Sequence, residues 1–380
     1  MAKDEASMKE YNVQFGVLTF LATMLVIFGH TGISLGTFEW LFHFDTFHMP
    51  LFVFISGYFF KTHDICLSNM GAFLKKKIKK LIIPFFVFNL LYGLLAVILY
   101  YKFNFVWCNG NNFWHYLIVQ PFTYGTDFFG FNSPAWFVLM LFWVELFVYI
   151  LYLIFNKLKS KHIIISMLTL VGAFLAIYIS KNYEKTATIV FATRTLYMMF
   201  WVSLGIIYKK YLEKHDNLPS LLYFAIIFLI QFAILIINNG HEMNAFIYNG
   251  TFTQNSLITI ILAINGIALY LRLSKILCDS LGKRKLVIYI QKNSFSVMMH
   301  QMFGFFLLNL IFFKLSNFVS SISFNYDGFR SSQFYRVYPY GHPAFDILYV
   351  IAGLGVSLLI AYITGIIKKA FQIVFSKKDL

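Results

Sequence analysis

About ten apolar runs, most of them close to twenty residues long, are separated by short polar segments along the whole chain. A helix of about 20 residues crosses the hydrocarbon layer of a bilayer, because each residue adds about 1.5 Å. Only 12% of the 380 residues are charged, whereas a soluble domain carries about 25% charged residues. The sequence therefore predicts an all-α, polytopic membrane protein of about ten transmembrane helices.

The predicted spans cover nearly the whole chain. They are residues 13–33, 47–60, 81–101, 134–156, 162–180, 188–208, 219–238, 255–273, 293–313 and 344–367. The second run is short for a span, so it is expected either to extend to about residue 63 or to lie behind its neighbours. No internal repeat is visible. We therefore expect one transmembrane domain over 1–380, with an N-terminal tail at 1–12 and a C-terminal tail at 368–380.

Basic residues orient these spans. Of the 31 lysines and arginines, 24 fall in segments on the side of the N-terminus, six fall on the opposite side, and Arg194 lies within a span. Lysine and arginine accumulate in cytoplasmic loops, so both termini are expected on the cytoplasmic side. The protein is expected to be a multi-pass protein of a bacterial cytoplasmic membrane. The net charge of +15 then indicates contact with anionic headgroups rather than with nucleic acid. Three cysteines in no metal-binding spacing predict neither a disulfide nor a metal site.

A few polar groups interrupt the apolar spans, and they are candidates for function. Charged groups cost at least about 2.5 kcal/mol each at the centre of a membrane helix, so those present tend to have a partner and a role. The ionisable candidates are His30, Asp45, His48, Glu145, Arg194 and His300.

Two of these histidines are expected to be neighbours. His30 ends the first span and His48 begins the second, with a loop of roughly a dozen residues between their helices. His48 faces the positive end of its helix dipole, which favours a neutral imidazole, whereas His30 faces a negative end. A neutral imidazole beside Asp45 suits base catalysis on a hydroxyl. The alternative is that the histidines only anchor their helices at the membrane interface.

A dense run of lysines lies at the base of the third span. Residues 73–86 read FLKKKIKKLIIPFF and contain Lys75, Lys76, Lys77, Lys79 and Lys80. Such a run anchors a helix to phospholipid headgroups, and it could also attract the phosphates of coenzyme A. LGKRK at 281–285 is a second possible phosphate clamp.

Taken together, these segments resemble the membrane-bound acyltransferase family 3, and within it the fucose 4-O-acetylase-like branch of sugar O-acetyltransferases. The resemblance is carried by LATMLVIFGH (21–30), FHMPLFVFISGYFFK (47–61), KKKIKKLIIPFFVF (75–88), SPAWFVLMLFWVELFVYIL (133–151) and NSFSVMMH (293–300). The second motif is specific and the others are individually loose. The family has ten spans, which agrees with the number found above.

The resemblance implies acyl transfer from cytoplasmic acetyl-CoA, or another acyl-CoA, to a hydroxyl of a cell-surface or exported glycan or glycolipid. His30 corresponds to the histidine of the family's first helix and ranks first as the base, ahead of His48. Arg194 or a backbone N–H would stabilise the oxyanion, and transfer could be direct or pass through an acyl-histidine. The family commonly has arginine eleven residues before that histidine, where this chain has Thr19; Arg194 could replace it from another helix.

The tryptophans allow two interpretations. Trp40, Trp107, Trp114 and Trp136 could stack on sugar rings, but aromatic belts at membrane interfaces explain them as well, and we favour the belt. Two other functions also stay open at this point. The chain could be a transporter or flippase for a polysaccharide precursor, gated by the pair of Glu145 and Arg194. It could also be an inactive acyltransferase relative, because of Thr19.

Overall fold

The computed structural model describes residues 12–33, 36–123, 128–241 and 243–376, and nearly all of its regular structure is helical. The helices are α1 Val13–Thr31, α2 Thr37–Leu41, α3 His48–Tyr58, α4 Leu67–Lys77, α5 Ile83–Phe103, α6 Trp136–Ile154, α7 Lys161–Asn182, α8 Ala187–Ile207, α9 Ser220–Ile237, α10 Ser256–Leu281, α11 Lys285–Lys292, α12 Ser294–Ser316, α13 Tyr326–Ser331 and α14 Asp346–Ser376. Two short antiparallel strands, β1 Ala245–Phe246 and β2 Thr251–Phe252, form the one sheet of the described residues.

Within the described residues, nine helical segments are long and apolar enough to cross a membrane. Each corresponds to one of the ten predicted spans, so the all-α polytopic fold is confirmed. The remaining predicted span, 47–60, is the 11-residue helix α3, which rises only about 16 Å. Nine of its residues are buried, so it lies behind its neighbours and does not cross the membrane alone.

The described residues include part of each predicted tail. Helix α14 continues past the predicted end of its span at 367 and reaches Ser376, so most of the predicted C-terminal tail is helical. Residues 1–11 of the predicted N-terminal tail and residues 377–380 lie outside the described residues. Asn12 caps α1, because its side chain accepts a hydrogen bond from Phe15 N at 3.2 Å.

The bundle has two distinct ends. Helix α1 begins at Asn12 and runs towards His30, and α3 runs antiparallel to it, so that Tyr58 stacks on Phe15 with ring centroids 3.5 Å apart. We call the end that contains Tyr58 the lysine-rich end and the opposite end the histidine end. Helices α4 and α8 each pass through a π-helical turn at the lysine-rich end, at Ile78–Ile82 and Tyr208–Leu212.

Helices α3 and α8 pack unusually closely, because two glycines face each other's backbone. A Cβ built on Gly57 would lie 2.1 Å from Val202 O, and one built on Gly205 would lie 2.2 Å from Phe54 O. Only hydrogen fits at either position. This contact holds α3 at the centre of the bundle, where its first residue, His48, reaches the interior of the histidine end.

Candidate active site

His30 and His48 line the same cavity at the histidine end of the bundle. The cavity has a volume of about 300 Å³, and Asp45 also lines it. Its walls include the rings of Trp136, Tyr248 and Phe334 and the hydroxyl-bearing Ser133. We call this space the histidine cavity. The structure therefore brings together the three residues that the sequence selected as the catalytic group.

A glycine allows the loop between α1 and α3 to lie against the last turn of α1. A Cβ on Gly29 would lie 2.7 Å from Phe44 Cε2, so Phe44 could not approach if residue 29 carried a side chain. The ring of Phe44 also contacts the imidazole of His48 edge-on, with centroids 5.8 Å apart. At the end of LVIFGH, Gly29 thus allows close packing of the loop, whereas His30 supplies the polar side chain.

The two imidazoles are held in the same way, each by the main chain of its own preceding turn. His30 Nδ1 donates to Val26 O at 2.6 Å, and His48 Nδ1 donates to Phe44 O at 2.8 Å. A carbonyl can only accept a hydrogen bond, so the proton of each neutral ring lies on Nδ1. The lone pair is then on Nε2, which is the atom that a general base needs.

Asp45 lies between two histidines rather than in a hydrogen bond with one. Its carboxylate oxygens are 4.0 Å from His48 Nδ1 and 3.7 Å from His43 Nδ1, both beyond hydrogen-bond distance. The carboxylate therefore acts on His48 through its charge, while Phe44 O orients the ring. Sequence reasoning passed over His43, although it stands two residues before Asp45 in HFDTFHMP.

Arg336 lies next to one wall of the histidine cavity, and no sequence pattern singled it out as a site residue. Its guanidinium donates to Tyr335 O at 2.8 Å and to His30 O at 2.5 Å. The preceding residues, Gln333 and Phe334, line the cavity, so Arg336 ties this wall to the end of α1. Burial lowers the pKa of Arg336 to about 10, which leaves it charged at neutral pH. The sequence held one signal for this residue: Arg336 is one of only six basic residues on the side of the membrane opposite the N-terminus.

The same segment is also fixed from behind. Tyr349 on α14 accepts from Val337 N at 2.7 Å and donates to Asn309 Oδ1 at 2.6 Å. Asn309 on α12 in turn donates to Tyr335 O at 3.0 Å. Residues 333–337 are therefore held by α1, α12 and α14 together, and we call them the clamped wall.

Trp136 separates the histidine cavity from a second, smaller cavity. The second cavity has a volume of about 150 Å³ and is lined by Trp136 and Arg194. The guanidinium carbon of Arg194 lies 5.6 Å from the centre of the Trp136 ring. Arg194 thus lies at the histidine end but across Trp136 from the histidines. It is not at the level of Thr19, whose hydroxyl donates to Phe15 O at 2.8 Å.

Glu145 does not pair with Arg194, the gate that the transporter alternative had offered. The carboxylate of Glu145 forms an ion pair with Lys77 and accepts a hydrogen bond from Ser56 Oγ at 2.6 Å. Glu145 is 2% exposed. Helix α6 begins at Trp136, so Glu145 lies about 13 Å further down, towards the lysine-rich end. The gate pair of the transporter alternative is therefore not formed.

The lysines of the run at 75–80 differ in their surroundings. Lys75, Lys76, Lys79 and Lys80 are exposed, whereas Lys77 points inwards to Glu145. The first three lysines end helix α4, and the last two lie within the π-helical turn at Ile78–Ile82. One of the five candidates for phosphate binding is therefore already neutralised by a carboxylate.

His300 lies apart from the histidine cavity. It is 1% exposed, its Nδ1 hydrogen bonds to the hydroxyl of Tyr92 at 2.7 Å, and the ring of Phe88 packs edge-on at 4.3 Å. Met298, two residues earlier on α12, lines the cavity instead. His300 thus connects α12 to α5 in the interior of the bundle.

Comparison with known proteins assigns this chain to a protein family. A family model described as an acyltransferase domain matches residues 13–366, from the first described helix to the last. No curated protein and no solved structure matches the chain. The match covers both histidines, the lysine run and the clamped wall. This chain belongs to the acyltransferase 3 family and is a multi-pass membrane acyltransferase.

Proposed function

We propose that this protein is an O-acetyltransferase that moves an acetyl group from cytoplasmic acetyl-CoA to a hydroxyl of a cell-surface or exported glycan. The fucose 4-O-acetylase-like branch is the part of the family that it resembles, and a bacterial cytoplasmic membrane is the expected location. The observation that carries the proposal is the pair of Nδ1-tethered histidines, His30 and His48, in one cavity beside Asp45.

The chemistry follows from the free Nε2 atoms. The acceptor hydroxyl loses its proton to Nε2 of His30 as its oxygen attacks the thioester carbonyl. The tetrahedral intermediate then breaks its C–S bond, and the departing thiolate of coenzyme A takes the proton from the imidazolium. The products are the acetyl ester and free coenzyme A, and His30 returns to its neutral form. His48 and Asp45 adjust the charge around this proton transfer.

The walls of the histidine cavity suit a carbohydrate. The rings of Trp136, Tyr248 and Phe334 offer flat apolar faces, and Ser133 Oγ is a buried polar atom without a hydrogen-bond partner in the described residues. Sugars present apolar faces of C–H groups and rims of hydroxyls, so this mixture of rings and hydroxyls fits them. The acceptor would reach the cavity from the histidine end, and the donor from the lysine-rich end.

The test compares His30→Ala with His342→Ala, a histidine that is exposed between the clamped wall and α14 and does not line the histidine cavity. Both variants are expressed in the native host, checked for membrane insertion, and assayed for acetate released from the surface polysaccharide. We expect His30→Ala to abolish acetylation and His342→Ala to retain it. Full acetylation in an inserted His30→Ala variant would remove His30 from the mechanism. Absence of transfer by the wild type, with coenzyme A still bound, would favour the inactive relative.

A further inference from the structure

A separate polar cavity lies at the lysine-rich end, on the other side of α3 from the histidines. It has a volume of about 700 Å³ and is lined by Asn12, by residues 57–63, and by Lys209 and Lys210 from the π-helical turn after α8. We call it the inner cavity. Small-molecule sites occupy about 300–1,000 Å³, so its size suits a nucleotide. No residue lines both the inner cavity and the histidine cavity.

Among the described residues, Lys209 and Lys210 form no ion pair, while the carboxylate of Glu213 accepts a hydrogen bond from the hydroxyl of Tyr58 at 2.7 Å. In the described part of the chain, neither amine has a carboxylate oxygen within 4.0 Å, and no carboxylate lines the inner cavity. Lys209 Nζ instead lies 4.9 Å from the centre of the Tyr58 ring. By contrast, Lys77 is paired with Glu145, and the neighbouring cavity that Lys77 lines also contains Asp64.

The turn that carries these two lysines is anchored by a partly buried ion pair. Asp216 binds the guanidinium of Arg272 on α10, and it accepts from the hydroxyl of Tyr208 at 3.2 Å. Tyr208 is the first residue of the π-helical turn. Lys275 Nζ also donates to Asp216 O at 2.6 Å. The backbone at Lys209 is therefore held in place, although its side chain is exposed.

The inner cavity also presents an aromatic face beside its charges. Phe59 lines the cavity and is 43% exposed, and Lys209 Nζ lies 6.0 Å from its ring centre. Phosphate groups with a planar base match a pair of amines beside an exposed ring, because the amines attract the phosphates and the ring stacks on the base. The combination is characteristic of a nucleotide rather than of inorganic phosphate.

We propose that the inner cavity binds the phosphoadenosine end of acyl-CoA, with its phosphates at Lys209 and Lys210 and its adenine against Phe59. The assignment rests on the proposed function for the identity of the donor. It also places the donor at a suitable distance. From Tyr58 to His48 along α3 is about 15 Å, whereas an extended pantetheine arm is about 20 Å long on standard bond lengths. The four exposed lysines of the run, Lys75, Lys76, Lys79 and Lys80, then serve to anchor this end of the bundle at the headgroups.

The experiment measures binding rather than acyl transfer. The full-length protein is placed in nanodiscs of phosphatidylcholine, and affinity for coenzyme A and for adenosine 3′,5′-bisphosphate is measured at low ionic strength. The test variant is Lys209→Gln with Lys210→Gln. The matched control is Lys157→Gln with Lys159→Gln, which removes the same charge from two exposed lysines in the segment between α6 and α7.

We expect the test variant to bind both nucleotides at least about tenfold more weakly, which corresponds to about 1.4 kcal/mol, and the control to change by less than about twofold. Equal losses in the two variants, or unchanged binding in the test variant, would overturn the proposal. A parallel measurement uses nanodiscs of phosphatidylglycerol. Lipid that stays bound at Lys209 and Lys210 and is not displaced by added nucleotide would also overturn the proposal. Nucleotide binding that depends on these lysines, without any acyl transfer, would uphold the site and refute the proposed function instead.

Discussion

Arg336 Nη2 donates to the main-chain oxygen of His30 at 2.5 Å, although the two residues are 306 positions apart in the chain. The bond connects the candidate base directly to the clamped wall of its cavity. Arg336 does not touch the imidazole itself, so it is a positioning residue. It fixes the position of the end of α1 relative to residues 333–337.

Replacing Arg336 should therefore slow acyl transfer more than it weakens acceptor binding. We expect Arg336→Ala to lower kcat about tenfold or more, because a hydrogen bond to a charged group contributes about 1.5–3 kcal/mol. Arg336→Lys should recover only part of the rate, since an ammonium does not reproduce the planar fork of donors. Steady-state kinetics that separate kcat from KM check this. Wild-type kcat in Arg336→Ala would contradict the positioning role.

The carboxylate of Asp45 should contribute less to the rate of acyl transfer than the imidazole of His30 does. It lies 4.0 Å from His48 Nδ1 and 25% of its side chain is exposed, so water screens part of its charge. Asp45→Asn should lower the acyl-transfer rate by about fivefold, the effect of about 1 kcal/mol. Rates of His30→Ala and Asp45→Asn measured side by side provide the comparison. A loss in Asp45→Asn as large as that in His30→Ala would give Asp45 a direct part in proton transfer.

The ion pair between Glu145 and Lys77 should contribute to stability in a way that depends on both partners. Glu145→Gln leaves the Lys77 amine without its carboxylate beside the interior, and breaking such a pair costs about 3–5 kcal/mol. Replacing both residues, as Glu145→Leu with Lys77→Met, should restore much of the lost stability because no buried charge is then left unpaired. Thermal unfolding in one detergent, followed by tryptophan fluorescence, tests this. A double variant less stable than Glu145→Gln would contradict the expectation.

Trp136 and Trp114 allow a test between the two roles proposed for the tryptophans, stacking on a sugar ring and forming an aromatic belt at the membrane interface. Trp136 is 9% exposed and lines the histidine cavity, whereas Trp114 is 71% exposed. Trp136→Ala should raise the acceptor KM by about tenfold, since an aromatic contact contributes about 0.5–1.5 kcal/mol beyond its buried area. Trp114→Ala should leave the acceptor KM unchanged. Acceptor titrations at saturating donor measure both, and an unaltered KM in Trp136→Ala would exclude stacking on the sugar.

The contact between α3 and α8 should tolerate no side chain at Gly57. A Cβ there would meet Val202 O at 2.1 Å, whereas one at Gly71 has nothing within 4 Å. Gly57→Ala should lower the free energy of unfolding by about 1–3 kcal/mol, and Gly71→Ala should raise it slightly because alanine favours the helix. Melting temperatures of the two variants in detergent test the contrast. Equal melting temperatures would show that the helices can separate without cost.

Several elements of the fold and site could be predicted from local sequence. Each long apolar run became a helix because a chain in hydrocarbon must satisfy its backbone hydrogen bonds internally. His30 and His48 share a cavity because their helices are antiparallel and joined by a short loop. The likeness to the acyltransferase family rested on contiguous motifs such as 47–61, and the match over residues 13–366 supports it.

Long-range pairing was not predictable in the same way. Glu145 and Arg194 look alike in sequence, as single charges in apolar helices, and only the rotation and depth of α6 and α8 decided that Glu145 meets Lys77 while Arg194 meets Trp136. The second apolar run was short enough to indicate a helix behind its neighbours, but only the structure showed that this helix ends after 11 residues, at Tyr58.

By itself, then, the sequence determined that this chain is a multi-span helical membrane protein with two histidines at one end, because hydropathy and short loops act locally. Only the tertiary structure decided that Arg336 bonds to the main chain of His30 and that Lys209 and Lys210 line a second cavity. Those relationships depend on how separate helices rotate and pack, and that packing is set by contacts between residues far apart in the chain.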